Sequence, residues 1–233
     1  VALVARQGMN LSQYGVDFTH IGFVQKIDDK ASGGQWQITH LLMACDTRRA
    51  GLYVDGLANF LLEPLSRYQV QLVIPSEATQ KALATVLRST MPHALLEAHY
   101  NLVAHPYSAR EQNCTQWALE VLAAALSGRA GAQRTSLQSW LQTQHYQPQV
   151  INAGRLHLWA VDWLPDDLIN LDEQEPQYLA QHQVVTTTAN SVVRFLQQKD
   201  PQTTLQWVEV ASPPLPPAPP VHQGIGHPGS GKI

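Results

Sequence analysis

Three side chains in this chain have the types and spacing of a nucleophilic thiol site: Cys114, His20 and His40. Cys114 sits in the run Glu-Gln-Asn-Cys-Thr-Gln-Trp, residues 111–117. Asn113 is a strong N-cap residue, and Gln116, three positions on, can reach back in the manner of a capping box. Cys114 therefore falls at the first position of a helix. There the positive helix end and the unpaired N–H groups favour a thiolate and can also hold an oxyanion. The expectation is a thiol with a pKa below the free value of about 8.5.

A thiol nucleophile needs a base, and the base needs an orienting group. His20 opens the apolar run His-Ile-Gly-Phe-Val-Gln-Lys-Ile, and His40 lies in Gln-Trp-Gln-Ile-Thr-His-Leu-Leu-Met, residues 35–43. With turn-like residues at 28–34 between them, the two runs read as a β-hairpin. A hairpin centred near residue 30 makes the two histidines direct cross-strand neighbours on one face of the sheet. Gln112 and Tyr14 join Asn113 as candidates for oxyanion or substrate contacts. Asp17 and Asn101 are weaker candidates, with turn or packing roles as the default.

The competing reading is that Cys114 is a core thiol, because it shares a helical face with Ala118, Val121 and Ala125. Cys45 reads as a buried free thiol distant from Cys114; the alternative is a disulfide to Cys114, which would abolish the nucleophile in an oxidising compartment. There is no CxxC pair, so neither a zinc site nor a disulfide scaffold is indicated. The other histidines lack metal-ligand spacing. No metal or organic cofactor is expected. Trp36, Trp117, Trp140, Trp159 and Trp163 read as core or groove aromatics.

The elements that position these residues indicate an α+β domain, a small antiparallel sheet packed with helices. Residues 1–15 read as a short helix or loop, and a tight Gly-rich segment follows the hairpin. Residues 68–74 read as a strand, and a helix capped by Ser76 runs to about Ser89. Helices are expected at 114–126, ended by Ser127-Gly128, at 136–145 and at 187–198. Strands are expected at 157–163 and 205–210. The domain spans 1–211. From Ser212 the chain turns Pro- and then Gly-rich, a composition that cannot build a core and predicts a disordered or extended tail over 212–233.

The bulk composition fits one well-buried core: 233 residues, 44% hydrophobic. Only 14% are charged and the net charge is −3, with no basic stripe, so nucleic acid is not an expected partner. The 25 glutamines are spread through the chain rather than clustered, which argues against a prion-like tract. The chain starts at Val1, which fits either a mature form after signal removal or an arbitrary starting point, and no apolar stretch approaches the ~20 residues of a membrane span.

Thr-His-Ile-Gly-Phe-Val, a second strand with a histidine, and Asn-Cys-Thr-Gln-Trp at a helix start together resemble the circularly permuted NlpC-type branch of the papain-like superfamily. That branch includes the lecithin-retinol acyltransferase-like enzymes. A closer resemblance is to a bacterial family catalogued as a domain of unknown function (number 2145). Arg6-Gln-Gly-Met-Asn-Leu-Ser, Gly51-Leu-Tyr-Val-Asp-Gly-Leu-Ala-Asn-Phe and Tyr100-Asn-Leu carry it, over residues 6–210. The superfamily likeness implies a papain-like fold with Cys114 as nucleophile, His20 as base and His40 as orienting group. It also implies a cysteine-dependent hydrolase or acyltransferase acting on an amide or ester carbonyl, with cell-wall peptide or a lipid acyl group as substrate. The expected location is exported, periplasmic or envelope-associated. Two other readings stay open: a non-catalytic peptide- or lipid-binding module on the same fold, and a structural envelope protein whose Pro-rich tail docks partners.

Overall fold

The computed structural model describes residues 1–8, 10–27, 34–44, 47, 49–62, 69–129, 131–152 and 168–209. The main sheet is wholly antiparallel. Its strands in chain order are β1 (Ala2–Arg6), β2 (His20–Ile27), β3 (Gln35–Met43), β4 (Ala50–Gly56), β5 (Gln69–Ile74) and, after a separate pair, β8 (Thr204–Glu209). Their spatial order is β4-β3-β2-β1-β5-β8. The separate pair is β6 (Gln149–Asn152) with β7 (Gln183–Thr186), also antiparallel. The helices are α1 (Leu57–Leu62), α2 (Glu77–Leu87), α3 (Met91–Ala94), α4 (Cys114–Ser127), α5 (Arg134–Thr143), α6 (Pro176–Leu179) and α7 (Ala189–Lys199). The α+β architecture expected from the sequence is thus present.

Strand alternation splits the sheet into two faces. Leu3, Ala5, Ile21, Phe23, Leu41 and Val73 face the helical layer, where α4 is buried along most of its length. Val4, Val24, Ile38 and Val70 face the other way and pack around Phe60 of α1. α4 is held by its own ends: Asn113 Oδ1 accepts from the Gln116 N–H at 2.7 Å, and Gly128 closes the helix in the left-handed region at φ 63°. Both features match the sequence reading, as does the Ser76 cap of α2, whose hydroxyl accepts from the Thr79 N–H.

Several expectations are corrected. Residues 2–6 form a central strand rather than helix or loop, followed by a 3-10 turn at Ser12–Tyr14. A strand buried on both faces carries no polar alternation, and Ala-Leu-Val-Ala-Arg mixes helix formers with a β-branched residue. The Gly-rich segment contains edge strand β4 and then α1. The hairpin pairs Phe23 with Thr39 and Ile27 with Gln35, so it centres on residue 31 rather than 30. Trp36 is exposed rather than a core or groove aromatic. The strand expected at 157–163, with Trp159 and Trp163, the Pro/Gly-rich tail and Cys45 lie outside the described residues.

Candidate active site

The two-residue offset in the hairpin keeps His20 and His40 on one face but makes them diagonal rather than directly opposite. Glycine at position 22 permits the diagonal. A Cβ built there would lie 2.7 Å from Ile38 Cγ2 and 3.1 Å from His40 Cβ, a space no side chain could share. The two imidazoles meet across this gap, with His20 Nε2 2.8 Å from His40 Nδ1. On the next strand Tyr53 pairs with His40, and Asp55, two residues on, reaches the far side of that ring. Its Oδ2 lies 2.9 Å from His40 Nε2.

This chain fixes the tautomers. A carboxylate can only accept, so His40 Nε2 carries the proton and donates to Asp55. Neutral His40 then has its lone pair on Nδ1, which accepts from His20 Nε2–H. His20 is left with an unprotonated Nδ1, which has no hydrogen-bond partner among the described residues. Both rings stay neutral. Burial pushes the His20 pKa well below 6.5, with the Arg6 cation and His40 adding to it. Burial likewise lowers His40, partly offset by its bond to Asp55. Phe60 covers both rings, with centroids at 5.6 Å from His20 and 5.3 Å from His40, and the Arg6 guanidinium lies 4.9 Å from the centre of the same phenyl ring.

α4 brings Cys114 to the same end of β2. Its thiol faces the carbonyl of Thr19, the residue before His20, at 3.9 Å. The Tyr100 hydroxyl points at the sulfur from 4.0 Å, a long contact. Burial keeps the Tyr100 phenol protonated, far above its usual range, so it stands as a donor. No hydrogen bond joins the Cys114 sulfur to the His20 ring among the described residues. The thiol is not acidic at rest. Burial raises it to about 11, against the acidifying pull of Tyr100, the Thr115 N–H and Arg6. The expectation of a pKa below 8.5 is therefore corrected: at 6% exposure, loss of solvent outweighs the helix end. Cys114 is a free thiol.

The other candidates separate. Tyr14 lines a cavity that Cys114 also lines. Asn113 borders it too, but its amide is committed: Oδ1 caps α4, and Nδ2 donates to Leu102 O and Thr186 Oγ1. Gln112 is turned into the core, donating to Leu95 O and Glu120 and accepting from the Glu97 N–H, which corrects its candidacy as an oxyanion donor. Asn101 is a buried loop tie to Glu111 and Asn170, and Asp17 binds Asn190 at the surface. The sequence reading missed Arg6, Asp55, Phe60 and Tyr100 as site residues. All four lie in the very motifs that carry the family likeness, but strand β4 had to be recognised before Asp55 could be placed beside His40.

Fold and site define an α+β protein with a free thiol at the first position of α4, facing the carbonyl of the residue before His20, and a His–His–Asp chain packed on Phe60. The chain belongs to a family of uncharacterized proteins conserved in bacteria (DUF2145), whose model matches residues 1–196. No curated protein and no solved structure matches it. No group of three or more His, Cys, Asp or Glu side chains able to hold a metal occurs among the described residues.

Proposed function

We propose that this protein is a cysteine-dependent hydrolase or acyltransferase of the permuted papain-like type, acting on an amide or ester carbonyl. The observation that supports the reading is the Asp55–His40–His20 chain, which leaves His20 Nδ1 without a partner among the described residues, next to Thr19, whose carbonyl the Cys114 thiol faces. Because thiol and imidazole are both neutral at rest, the reaction starts by concerted general-base attack rather than from a preformed ion pair. His20 Nδ1 takes the thiol proton as sulfur bonds to the carbonyl carbon. His40 and Asp55 stabilise the imidazolium that forms. The Cys114 and Thr115 N–H groups at the start of α4 and the Tyr100 hydroxyl are the candidate oxyanion donors. Collapse of the tetrahedral adduct breaks the bond to the leaving group, which departs with the proton from His20. Water or a second acceptor then resolves the acyl-cysteine. No step calls on a metal or organic cofactor.

Cell-wall peptide and lipid acyl groups are the proposed substrate classes, on an exported, envelope-associated domain. No helix among the described residues is long and apolar enough to cross a membrane. The test is labelling of the full chain by an acyl-donor ester, read by intact mass. One acyl group should appear on wild type, none on Cys114→Ala, and the rate should collapse in His20→Gln. The raised thiol pKa and the lack of a hydrogen bond between sulfur and His20 favour a second reading, a peptide- or lipid-binding module without turnover. Wild type that stays unlabelled while binding such ligands would decide for that reading.

A further inference from the structure

The cavity that Cys114 lines is uncharged and apolar along one side. Leu11, Tyr14, Val16, Phe18, Val103 and Ile151 form its apolar part. Leu11, Val16, Val103 and Ile151 belong to a buried cluster of their own, separate from the main core. No Asp, Glu, Lys, Arg or His side chain lines the cavity among the described residues. Much of its polar lining is engaged within the protein, whereas the Thr187 hydroxyl is buried without a hydrogen-bond partner among the described residues. The Thr186 hydroxyl donates to Ala104 O at 3.0 Å, Thr115 to Thr187 O at 2.6 Å and Thr188 to Gln149 Oε1 at 2.7 Å. None of these hydroxyl protons is left for a ligand, and the Asn113 amide protons are likewise taken.

The cavity also has a direction. His20 is not one of its lining residues, whereas Thr19 and Cys114 are. A leaving group must be protonated by His20, so it lies on the His20 side of the sulfur. What enters the cavity is the group on the other side of the scissile bond, the acyl side.

We infer that this cavity is an acyl subsite for an uncharged, apolar group, and that acyl donors bearing a carboxylate near the reacting carbonyl are rejected. The inference rests on the thiol reading above and narrows its substrate. An anion entering the cavity would lose its water and find no cation among the described lining residues to pair with. An aliphatic acyl chain and an apolar amino-acid side chain share the required chemistry.

The test compares 4-nitrophenyl esters on the full chain, each acylation rate divided by that of free glutathione. Acetate, propionate, butyrate and pentanoate probe chain length, the hemisuccinate probes charge at about the length of pentanoate, and N-acetyl-leucine ester represents the peptide source. Rates should rise about fourfold per methylene until the cavity is filled. The hemisuccinate should be at least about 100-fold slower than pentanoate. The ratio of the leucine ester to pentanoate tells peptide from lipid. A hemisuccinate within tenfold of pentanoate, or a flat chain-length series, overturns the inference. If no ester acylates Cys114, the thiol reading has failed, and the cavity is judged separately in Cys114→Ala. There, pentanamide should shift the NMR methyl signals of Val103 and Ile151 and succinamate should not; equal shifts would overturn the subsite.

Discussion

Two polar chains, one on α4 and one on the sheet, differ in how they end. Behind the helix, Glu120 is fully buried and its two carboxylate oxygens receive four donors. These are Arg134 Nε and Nη2, Gln112 Nε2 and Gln138 Nε2, at 2.7–3.2 Å. Burial still raises the Glu120 pKa, with Arg134 pulling it back. This network ties the loop before Cys114 to α4 and α5, and every oxygen is spent. In front, Asp55, His40 and His20 make a chain of two bonds that stops with a lone pair unused. A saturated network fixes a shape; one that ends on an unmet base can take part in a reaction.

Changes at the front should cost turnover with little cost in stability, and changes at the back should do the reverse. The largest effect is expected from Cys114→Ser. It should remove turnover by about four orders of magnitude or more while leaving the melting temperature close to wild type, because Asn113 supplies the cap. A melting curve and the acylation assay check both halves. Next is Asp55→Asn. The amide can donate to His40 Nε2, reversing both tautomers and putting a proton on His20 Nδ1. A fall in kcat of about 10²–10⁴ is expected, with alanine at the same position less harmful to the tautomer than asparagine. Equal effects of the two would count against the tautomer argument.

At the back, Glu120→Ala takes the main acceptor from the buried Arg134, which keeps Glu97 at 3.7 Å, and from Gln112 and Gln138, and should cost about 3 kcal/mol in denaturant unfolding. Activity per folded molecule should stay near wild type. The smallest effects are in the pH dependence of stability, and their signs follow from the buried neutral groups. His20 is held well below 6.5, so as pH falls through 6.5 the unfolded chain takes up the proton first and stability declines. Cys114 is raised from 9.0 to about 11, so the unfolded chain loses its proton first above pH 9. Stability is then lost between pH 9 and 11, up to about 3 kcal/mol. Urea unfolding across pH should show both limbs, with His20→Gln flattening the acid one and Cys114→Ser the alkaline one.

How far the sequence speaks depends on how local the cause is. The limits of β2 and β3 and the start of α4 were legible because alternation, capping and a left-handed glycine are written in neighbouring residues. The exact register was not, and two residues of offset changed a direct pair into a diagonal one that needs Gly22. Asp55 escaped because Gly51 and Gly56 make β4 look like a turn, and only pairing with β3 makes it a strand. β6 and β7 are four residues each and about thirty apart in sequence, with no turn signal to join them. The thiol pKa was misjudged in sign because a helix end is visible in sequence whereas full burial is a property of the assembled core.

The central claim is that Asp55, through His40, leaves His20 with a free Nδ1 at neutral pH. Nitrogen-15 NMR of histidine-labelled protein at pH 7 tests it directly, with His20→Gln and His40→Gln used to assign the signals among the ten histidines. The account predicts that His20 and His40 are both neutral with the proton on Nε2, and that Asp55→Asn moves it to Nδ1 on both rings. A His20 ring protonated on Nδ1 in wild type, or charged on both nitrogens, would contradict it.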